Sequence, residues 1–162
     1  KAELSQAHSK TPRDLLVPGD AGVAAALTNA ALRALIEGWS HQHPEGRLTA
    51  VCSGALLLAN SGVLDGKPAT THWSRDREIT RHFPKVLLDL DQIYILQEGL
   101  ATSAEVTAGI DMALSLLAEV AGDAHAQFVQ LMTEYDPQPP FNAGSLAKAP
   151  DAIRDRALAL FA

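Results

Sequence analysis

Residues 49–58 read Thr-Ala-Val-Cys-Ser-Gly-Ala-Leu-Leu-Leu, and this stretch decides the fold because a short apolar run passes directly into a helix-like one at Cys52. The order predicts a buried strand, a tight turn at the cysteine and a helix that begins at once. Free N–H groups at a helix N-terminus favour a thiolate, and the N–H of Ser53 is placed to bind an oxyanion. The segment predicts a nucleophilic Cys52, whereas the alternative is a small buried apolar residue.

Short apolar runs alternate with amphipathic stretches on both sides of this segment. Strands are predicted at 14–17, 48–52, 69–72, 86–90, 93–96 and 100–102, and helices at 23–42, 55–60, 75–82, 104–120 and 123–133, with a last short helix near Pro150. The helix at 104–120 carries the most regular apolar stripe, which comprises Val106, Ile110, Ala113, Leu117 and Val120. Such alternation predicts an α/β fold whose parallel sheet is covered on both faces. Ligands then bind at the carboxyl ends of the strands.

Composition limits the class of protein. The chain has 162 residues with 19 acidic and 13 basic side chains, a net charge of −6 and 47% apolar residues, which suits one globular domain over 1–162. Residues 1–12 are expected to form a polar tail or connector, and 135–149 an extended proline-rich segment. The single cysteine excludes a disulfide scaffold and suits the cytoplasm. The acidic balance argues against nucleic acid, and the lack of a long apolar run argues against a membrane.

Several blocks of sequence resemble one known superfamily. These blocks are 50–59 around Cys52, 62–66, 69–73, 102–114 and 135–141, and they span most of residues 14–145. They are similar to the ThiJ/PfpI superfamily, a branch of the class I glutamine-amidotransferase-like fold, and the last block resembles its isocyanide-hydratase-like branch. The resemblance implies a three-layer flavodoxin-like sandwich, a homodimer, a small-molecule substrate and no cofactor or metal. It also implies that Cys52 is the nucleophile.

The resemblance further assigns roles to residues near the cysteine. His72 lies where some members place a histidine near the thiolate, so it is either a base or thiolate partner, or a structural histidine. Ser53 is either a hydrogen-bonding residue near the substrate or a helix cap. The substrate site is expected to include Gly19, Asp20, Gly54 and Thr102.

Three departures from the family pattern bear on activity. The family opens with a strand and a helix that carry an acidic partner of the cysteine, whereas residues 1–13 are too short for such a unit and offer only Glu3. The usual Pro-Gly-Gly turn here ends in Asp20, whose charge opposes a nearby thiolate. The usual Thr-Ser-Ala-Gly junction here ends in Glu105, which as a first-turn acid complements the helix dipole.

The resemblance therefore implies a cysteine-dependent hydratase or lyase that acts on a small electrophile, such as an isocyanide, through a covalent adduct at Cys52. Two alternatives stay open: a glyoxalase- or deglycase-like enzyme, and a non-catalytic ligand- or redox-sensing domain. A protease is disfavoured because the proteolytic branch tends to place histidine directly after the cysteine, where this chain has Ser53. The missing opening unit also raises the expectation that the chain is a fragment or variant with impaired activity.

Overall fold

The computed structural model describes residues 14–161, except for the side chain of Ser40. The predicted tail at 1–12, which includes Glu3, lies outside the described residues. The strands are β1 (Asp14–Val17), β2 (Arg47–Val51), β3 (Pro68–Ala69), β4 (Leu87–Leu88), β5 (Tyr94–Gln97) and β6 (Leu100–Ser103). The helices are α1 (Val23–Ala26), α2 (Ala30–Gln42), α3 (Ala55–Asn60), α4 (Asp76–His82), α5 (Val106–Ala121), α6 (Asp123–Met132) and α7 (Asp151–Ala159). Single turns of 3-10 helix cover Cys52–Gly54 and Trp73–Arg75.

The chain forms two compact units, and the boundary between Ala113 and Leu114 falls within α5. All six strands belong to the first unit. The described elements of the second unit are the end of α5 together with α6 and α7. The mixed α/β fold with a mainly parallel sheet is confirmed, whereas a single domain over 1–162 stays a prediction. Within residues 14–161, no helix has the length and apolar character needed to cross a bilayer.

The main sheet has the strand order β1-β2-β6-β5, in which β1, β2 and β6 run parallel and β5 is antiparallel to β6. A separate parallel pair joins β3 to β4. In the main sheet Val17 pairs with Ala50 and Ala50 with Thr102, while Val51 pairs with Ser103. The carboxyl ends of β1, β2 and β6 therefore lie side by side, which is the edge where the sequence predicts the site.

One face of this sheet packs against α2 and α3. Because side chains alternate along a strand, Val17, Leu48, Ala50 and Leu100 project from this face. They join one core cluster with residues of α2 and α3, of which the largest fully buried ones are Ile36, Trp39, Leu56 and Leu58. Each of these large side chains contributes about 1.5–3 kcal/mol by leaving water.

The first turns of α5 cover the opposite face. A Cβ added at Gly109 would lie 3.2 Å from a methyl group of Val51 and 3.6 Å from the Ser103 hydroxyl, so the absence of a side chain lets the helix come close to the sheet. The helix buries Ala108 and Met112. The apolar stripe that the sequence shows is instead turned outward, since Val106 is 72% and Ile110 40% exposed.

Local expectations were wrong at three places. The helix predicted at 23–42 is two helices, because the Asn29 side chain accepts the N–H of Leu32 and so begins α2 afresh. The strand predicted at 69–72 is only Pro68–Ala69. The strand predicted at 86–90 is only Leu87–Leu88, which pairs with β3, whereas the strand predicted at 93–96 is β5 and pairs with β6. The helix predicted at 123–133 is confirmed as α6, which begins at Asp123 and ends at Met132.

Candidate active site

Cys52 lies at the turn between β2 and α3. The strand ends at Val51, one residue before the predicted end, and the next three residues form a 3-10 turn that leads into α3 at Ala55. Cys52 has a φ of +57°, a left-handed conformation that costs an L-residue about 1–2 kcal/mol. Cys52 is partly exposed, and it is the one free cysteine of the chain. Strained backbone of this kind is common at functional sites, where the surrounding structure holds it in place.

Two glycines allow the turn after β1 to press against the cysteine. A Cβ added at Gly19 would lie 2.7 Å from the Cβ of Cys52 and 2.7 Å from the N of Ser53. A Cβ added at Gly54 would lie 2.3 Å from the carbonyl oxygen of Val17. Both positions exclude any larger residue unless the backbone moves. Gly19 and Gly54 therefore bring the ends of β1 and β2 into direct contact beside Cys52.

The Ser53 hydroxyl joins the same two segments. It accepts the backbone N–H of Asp20 at 3.1 Å and donates to the carbonyl oxygen of Asp20 at 3.4 Å. The Asp20 carboxylate is exposed and accepts the N–H of Gly22 at 3.3 Å, within its own turn. The Asp20 N–H is thus engaged by Ser53. The buried Ser53 side chain fixes the β1 turn against the cysteine turn.

Threonine hydroxyls connect His72 to the cysteine turn. The Thr71 hydroxyl donates to the carbonyl oxygen of Cys52 at 2.9 Å. The N–H of Thr70 donates to the hydroxyl of Thr102 at 2.9 Å, at the carboxyl end of β6. Segment 70–72 is therefore held against both strand ends by side chains. The sequence pointed to Thr102 as a substrate-site residue, and the structure shows it supporting the segment that carries His72.

The surroundings of His72 define its protonation. The N–H of Ser74 donates to Nδ1 at 3.3 Å and the Ser74 hydroxyl lies 2.8 Å from Nδ1, so the neutral ring carries its proton on Nε2. The Trp73 ring lies with its centroid 4.9 Å from that of His72. Partial burial lowers the pKa of His72 from its ordinary value; the Glu105 carboxylate opposes this shift and the Arg75 guanidinium reinforces it.

Glu105 directly precedes α5, which begins at Val106, so the prediction that it lies in the first turn of the helix was wrong. Its carboxylate interacts electrostatically with His72. Its Oε2 accepts the N–H of Thr107 at 3.2 Å and its Oε1 accepts the N–H of Ala108 at 3.1 Å, while the Thr107 hydroxyl also donates to Oε1. Burial alone raises the pKa of Glu105. The hydrogen bonds from Thr107 and Ala108, with a contribution from His72, outweigh burial and hold that pKa below its ordinary value.

The structure brings most of the predicted site residues to one edge of the sheet. Gly19, Asp20, Ser53 and Gly54 surround the backbone of Cys52, while His72 and Thr102 are connected to it through Thr70 and Thr71. The sequence did not indicate the linking threonines or the effect of Glu105 and Arg75 on His72. Among the described residues, no group of three potential ligands is placed to hold a metal ion. The catalytic and binding roles stay predictions.

Comparison with known proteins identifies the family. The model of the DJ-1/PfpI family matches residues 2–119, and the chain belongs to this family, so the predicted ThiJ/PfpI resemblance is confirmed. The chain is 38% identical over 148 residues to an isonitrile hydratase of Pseudomonas putida, covering 88% of this chain and 60% of that protein. The crystal structure of a ThiJ/PfpI family protein from Pseudomonas syringae matches with a TM-score of 0.77 and 36% identity, covering 94% of this chain and 62% of the other.

Transcriptional regulators are also among the relatives. The HTH-type transcriptional regulator GbdR of Pseudomonas aeruginosa is 31% identical over 90 residues, which is 56% of this chain and 24% of the regulator. This chain therefore spans less than two thirds of the isonitrile hydratase and about a quarter of the regulator.

Proposed function

We propose that the protein is an isocyanide-hydratase-like enzyme in which Cys52 attacks a small electrophilic carbon. The strained left-handed backbone of Cys52 at the strand–helix turn carries this proposal. Such a turn aims a nucleophile away from the strand and places it at a helix N-terminus, where N–H groups favour the thiolate. The 38% identity to the isonitrile hydratase over 88% of this chain supports the same class of substrate.

The reaction balances with a thiolate and one proton donor. The thiolate attacks the terminal carbon of an isocyanide, R–NC, and forms a C–S bond. The electron pair that develops on this carbon takes a proton, which gives a thioimidate, R–N=CH–S–Cys52. Water then adds to the same carbon, nitrogen takes one proton from the water, and the C–S bond breaks. The products are the formamide R–NH–CHO, the thiolate and the proton returned to the donor.

His72 is the proposed proton donor. The Thr71 hydroxyl donates to the carbonyl oxygen of Cys52, which keeps the segment that carries His72 beside the cysteine turn. Ser74 contacts Nδ1, so Nε2 is the ring atom proposed to deliver a proton to the reacting carbon. In the imidazolium form Nδ1 also carries a proton, which the Ser74 hydroxyl can accept.

Formation of a formamide tests this function directly. The protein is incubated with n-butyl isocyanide, and N-butylformamide is followed by proton NMR against a protein-free control. We expect catalysed formation in the wild type and none in Cys52→Ser, whose hydroxyl is a far weaker nucleophile at neutral pH. Product formation by Cys52→Ser at the wild-type rate would reject Cys52 as the nucleophile. Absence of product from the folded wild type would reject the hydratase.

A pair of histidine variants tests the proton donor. His72→Asn should lower kcat while circular dichroism shows a folded protein. His82→Asn is the matched control, because His82 is exposed at the end of α4. Equal rates for the two variants would remove His72 from the mechanism.

A ligand-sensing domain is the second candidate, and the 31% identity to GbdR favours it. In that case a small molecule binds at the same strand ends without turnover. Isothermal titration with the isocyanide and with the formamide separates the two, because a sensor binds without consuming its ligand.

A further inference from the structure

The charges around Cys52 determine which electrophiles its thiol attracts. In the strand order β1-β2-β6, Cys52 directly follows the middle strand. Asp20 lies three residues after the end of β1, and Glu105 lies two residues after the end of β6. Because the carboxyl ends of these parallel strands lie side by side, an acidic residue follows the neighbouring strand on each side of the cysteine.

Asp20 is fixed next to the cysteine turn by its backbone. Its N–H donates to the Ser53 hydroxyl at 3.1 Å, and its carbonyl oxygen accepts a hydrogen bond from the same hydroxyl at 3.4 Å. The preceding residue is Gly19, at which an added Cβ would lie 2.7 Å from the Cβ of Cys52. The Asp20 carboxylate is therefore attached to a backbone segment that contacts the residue bearing the thiol.

The Asp20 carboxylate carries a charge that no cation of the described chain neutralises. The side chain is exposed and accepts the neutral backbone N–H of Gly22 at 3.3 Å. None of the ion pairs formed within residues 14–161 includes Asp20. An exposed carboxylate of this kind attracts a cationic ligand and repels an anionic one.

The other charged groups near the cysteine do not cancel this effect. The Arg75 guanidinium is paired with the Glu78 carboxylate at 3.2 Å. Partial burial lowers the pKa of His72, so its neutral form predominates at neutral pH. Glu105 adds negative charge, part of which is offset by the backbone N–H groups at the start of α5. The edge of the sheet that carries Cys52 is therefore negatively charged.

We propose that Asp20 makes the site selective for small electrophiles that carry a positive charge, such as an isocyanide with an ammonium group. This inference rests on the proposed function. Asp20 is a specificity-determining residue, because its charge acts on the remote cationic group and not on the reacting carbon. A bound cation also offsets the repulsion between the Asp20 carboxylate and the Cys52 thiolate, so the thiol becomes more acidic when such a substrate is present.

Two isocyanides of equal shape test this selectivity. (Trimethylammonio)ethyl isocyanide is a cation, whereas neohexyl isocyanide has a carbon atom in place of the charged nitrogen. Asp20→Asn keeps an oxygen for the N–H of Gly22 and removes the charge. We expect the ratio of kcat/KM for the cationic substrate to kcat/KM for the neutral one to fall about three- to tenfold in Asp20→Asn at low ionic strength, because one exposed charge pair has an effect of this size in water.

Glu98→Gln is the matched control. Glu98 is an exposed acid in the turn between β5 and β6, at the opposite end of the sheet from Cys52. Its removal changes the net charge of the protein as much as Asp20→Asn does. The ratio of kcat/KM values should therefore stay at the wild-type value in Glu98→Gln.

Labelling of the thiol tests the same charge without turnover. The chain has one cysteine, so methanethiosulfonate reagents form a disulfide with Cys52 alone and release methanesulfinate. The trimethylammonioethyl reagent is a cation and the sulfonatoethyl reagent is an anion. Any change in the thiolate fraction alters both rates by the same factor, so the ratio of the two rates reports the local charge. We expect this ratio to fall in Asp20→Asn, to stay unchanged in Glu98→Gln, and to depend less on Asp20 as salt is raised.

The two measurements distinguish failure of this inference from failure of the proposed function. An unchanged labelling ratio in Asp20→Asn, or an equal fall in Glu98→Gln, would overturn the selectivity. Equal ratios of kcat/KM in wild type and Asp20→Asn would overturn it as well. If the labelling ratio falls as expected but neither isocyanide gives a formamide, the hydratase is rejected and the preference of the Cys52 site for cationic electrophiles stands.

Discussion

Replacing Cys52 by glycine rather than alanine tests the strained backbone on which the nucleophile depends. At a φ of +57°, an L-residue carries about 1–2 kcal/mol of strain that glycine does not. Alanine keeps the Cβ and therefore the strain. Glycine removes the strain but gives the unfolded chain more freedom, which costs about 0.4–1 kcal/mol. We expect Cys52→Gly to exceed Cys52→Ala in free energy of unfolding by about 0.5–1 kcal/mol.

The same pair of substitutions at two other positions provides controls. Thr133 has an ordinary φ of −92° at the end of α6, so glycine there should be less stable than alanine by about 0.5–1 kcal/mol. Glu134 has a φ of +49°, so glycine there should be favoured as it is at Cys52. The difference in free energy of unfolding between the glycine and the alanine variant should therefore have opposite signs at Thr133 and Glu134.

Urea unfolding followed by circular dichroism measures all three pairs. Both Cys52 variants lack the thiol, so oxidation does not distort the comparison. If Cys52→Gly is no more stable than Cys52→Ala while the pair at Glu134 behaves as expected, the cysteine is not held in a strained turn. The physical argument for its reactivity would then fail.

Three further predictions concern packing, pH and assembly. Gly54→Ala should lower the free energy of unfolding in urea by about 1–3 kcal/mol, because the new Cβ would lie 2.3 Å from the carbonyl oxygen of Val17. Gly22→Ala is the control: a Cβ there has nothing within 4 Å and should change the free energy of unfolding by less than about 1 kcal/mol. Equal losses in the two variants would contradict the prediction. The pKa of His72 is lower in the folded protein than its ordinary value of 6.5. The contribution of His72 to stability is therefore complete above pH 6.5 and is lost as the pH falls through the folded-state pKa. The pKa of Glu105 is also lowered by folding, so its contribution to stability is lost in the same way below pH 4.5. The melting temperature should therefore fall on acidification from pH 7.5, and less so in His72→Asn; an equal fall in both would argue against the histidine. Finally, sedimentation at micromolar concentration should show the predicted homodimer, and a purely monomeric boundary would refute it.

The strand–cysteine–helix turn could be predicted because all its signals are local. A buried strand, a cysteine and a small-residue turn follow one another in 49–54, and the structure has the same order. Gly19 and Gly54 allow the close approach of the β1 turn, which the sequence did not predict. Glycine has no Cβ, so its presence alone allows another backbone segment to come close.

What the sequence could not supply depends on contacts between distant segments. The periodicity of 106–120 showed an apolar stripe, but Gly109 brings a different face of α5 against Val51 and Ser103. The 32 residues between His72 and Glu105 likewise hide their electrostatic interaction, which arises because the hydrogen bond from Thr70 to Thr102 holds the histidine segment at the end of β6. The break between α1 and α2 was missed, although its cause is local: the Asn29 side chain caps α2.

The attachment of His72 through threonine hydroxyls has a consequence for how this site can change. Thr70 and Thr71 are joined to β6 and to the cysteine turn by bonds that each involve one side chain, not by a strand ladder. A methyl group in place of the hydroxyl of Thr71 or of Thr102 therefore removes one of these bonds and loosens the segment that carries His72. The backbone hydrogen bonds of the main sheet are not disturbed. The distance from imidazole to thiol can thus be altered by one or two substitutions, which makes this segment a natural starting point for directed evolution of new substrate ranges.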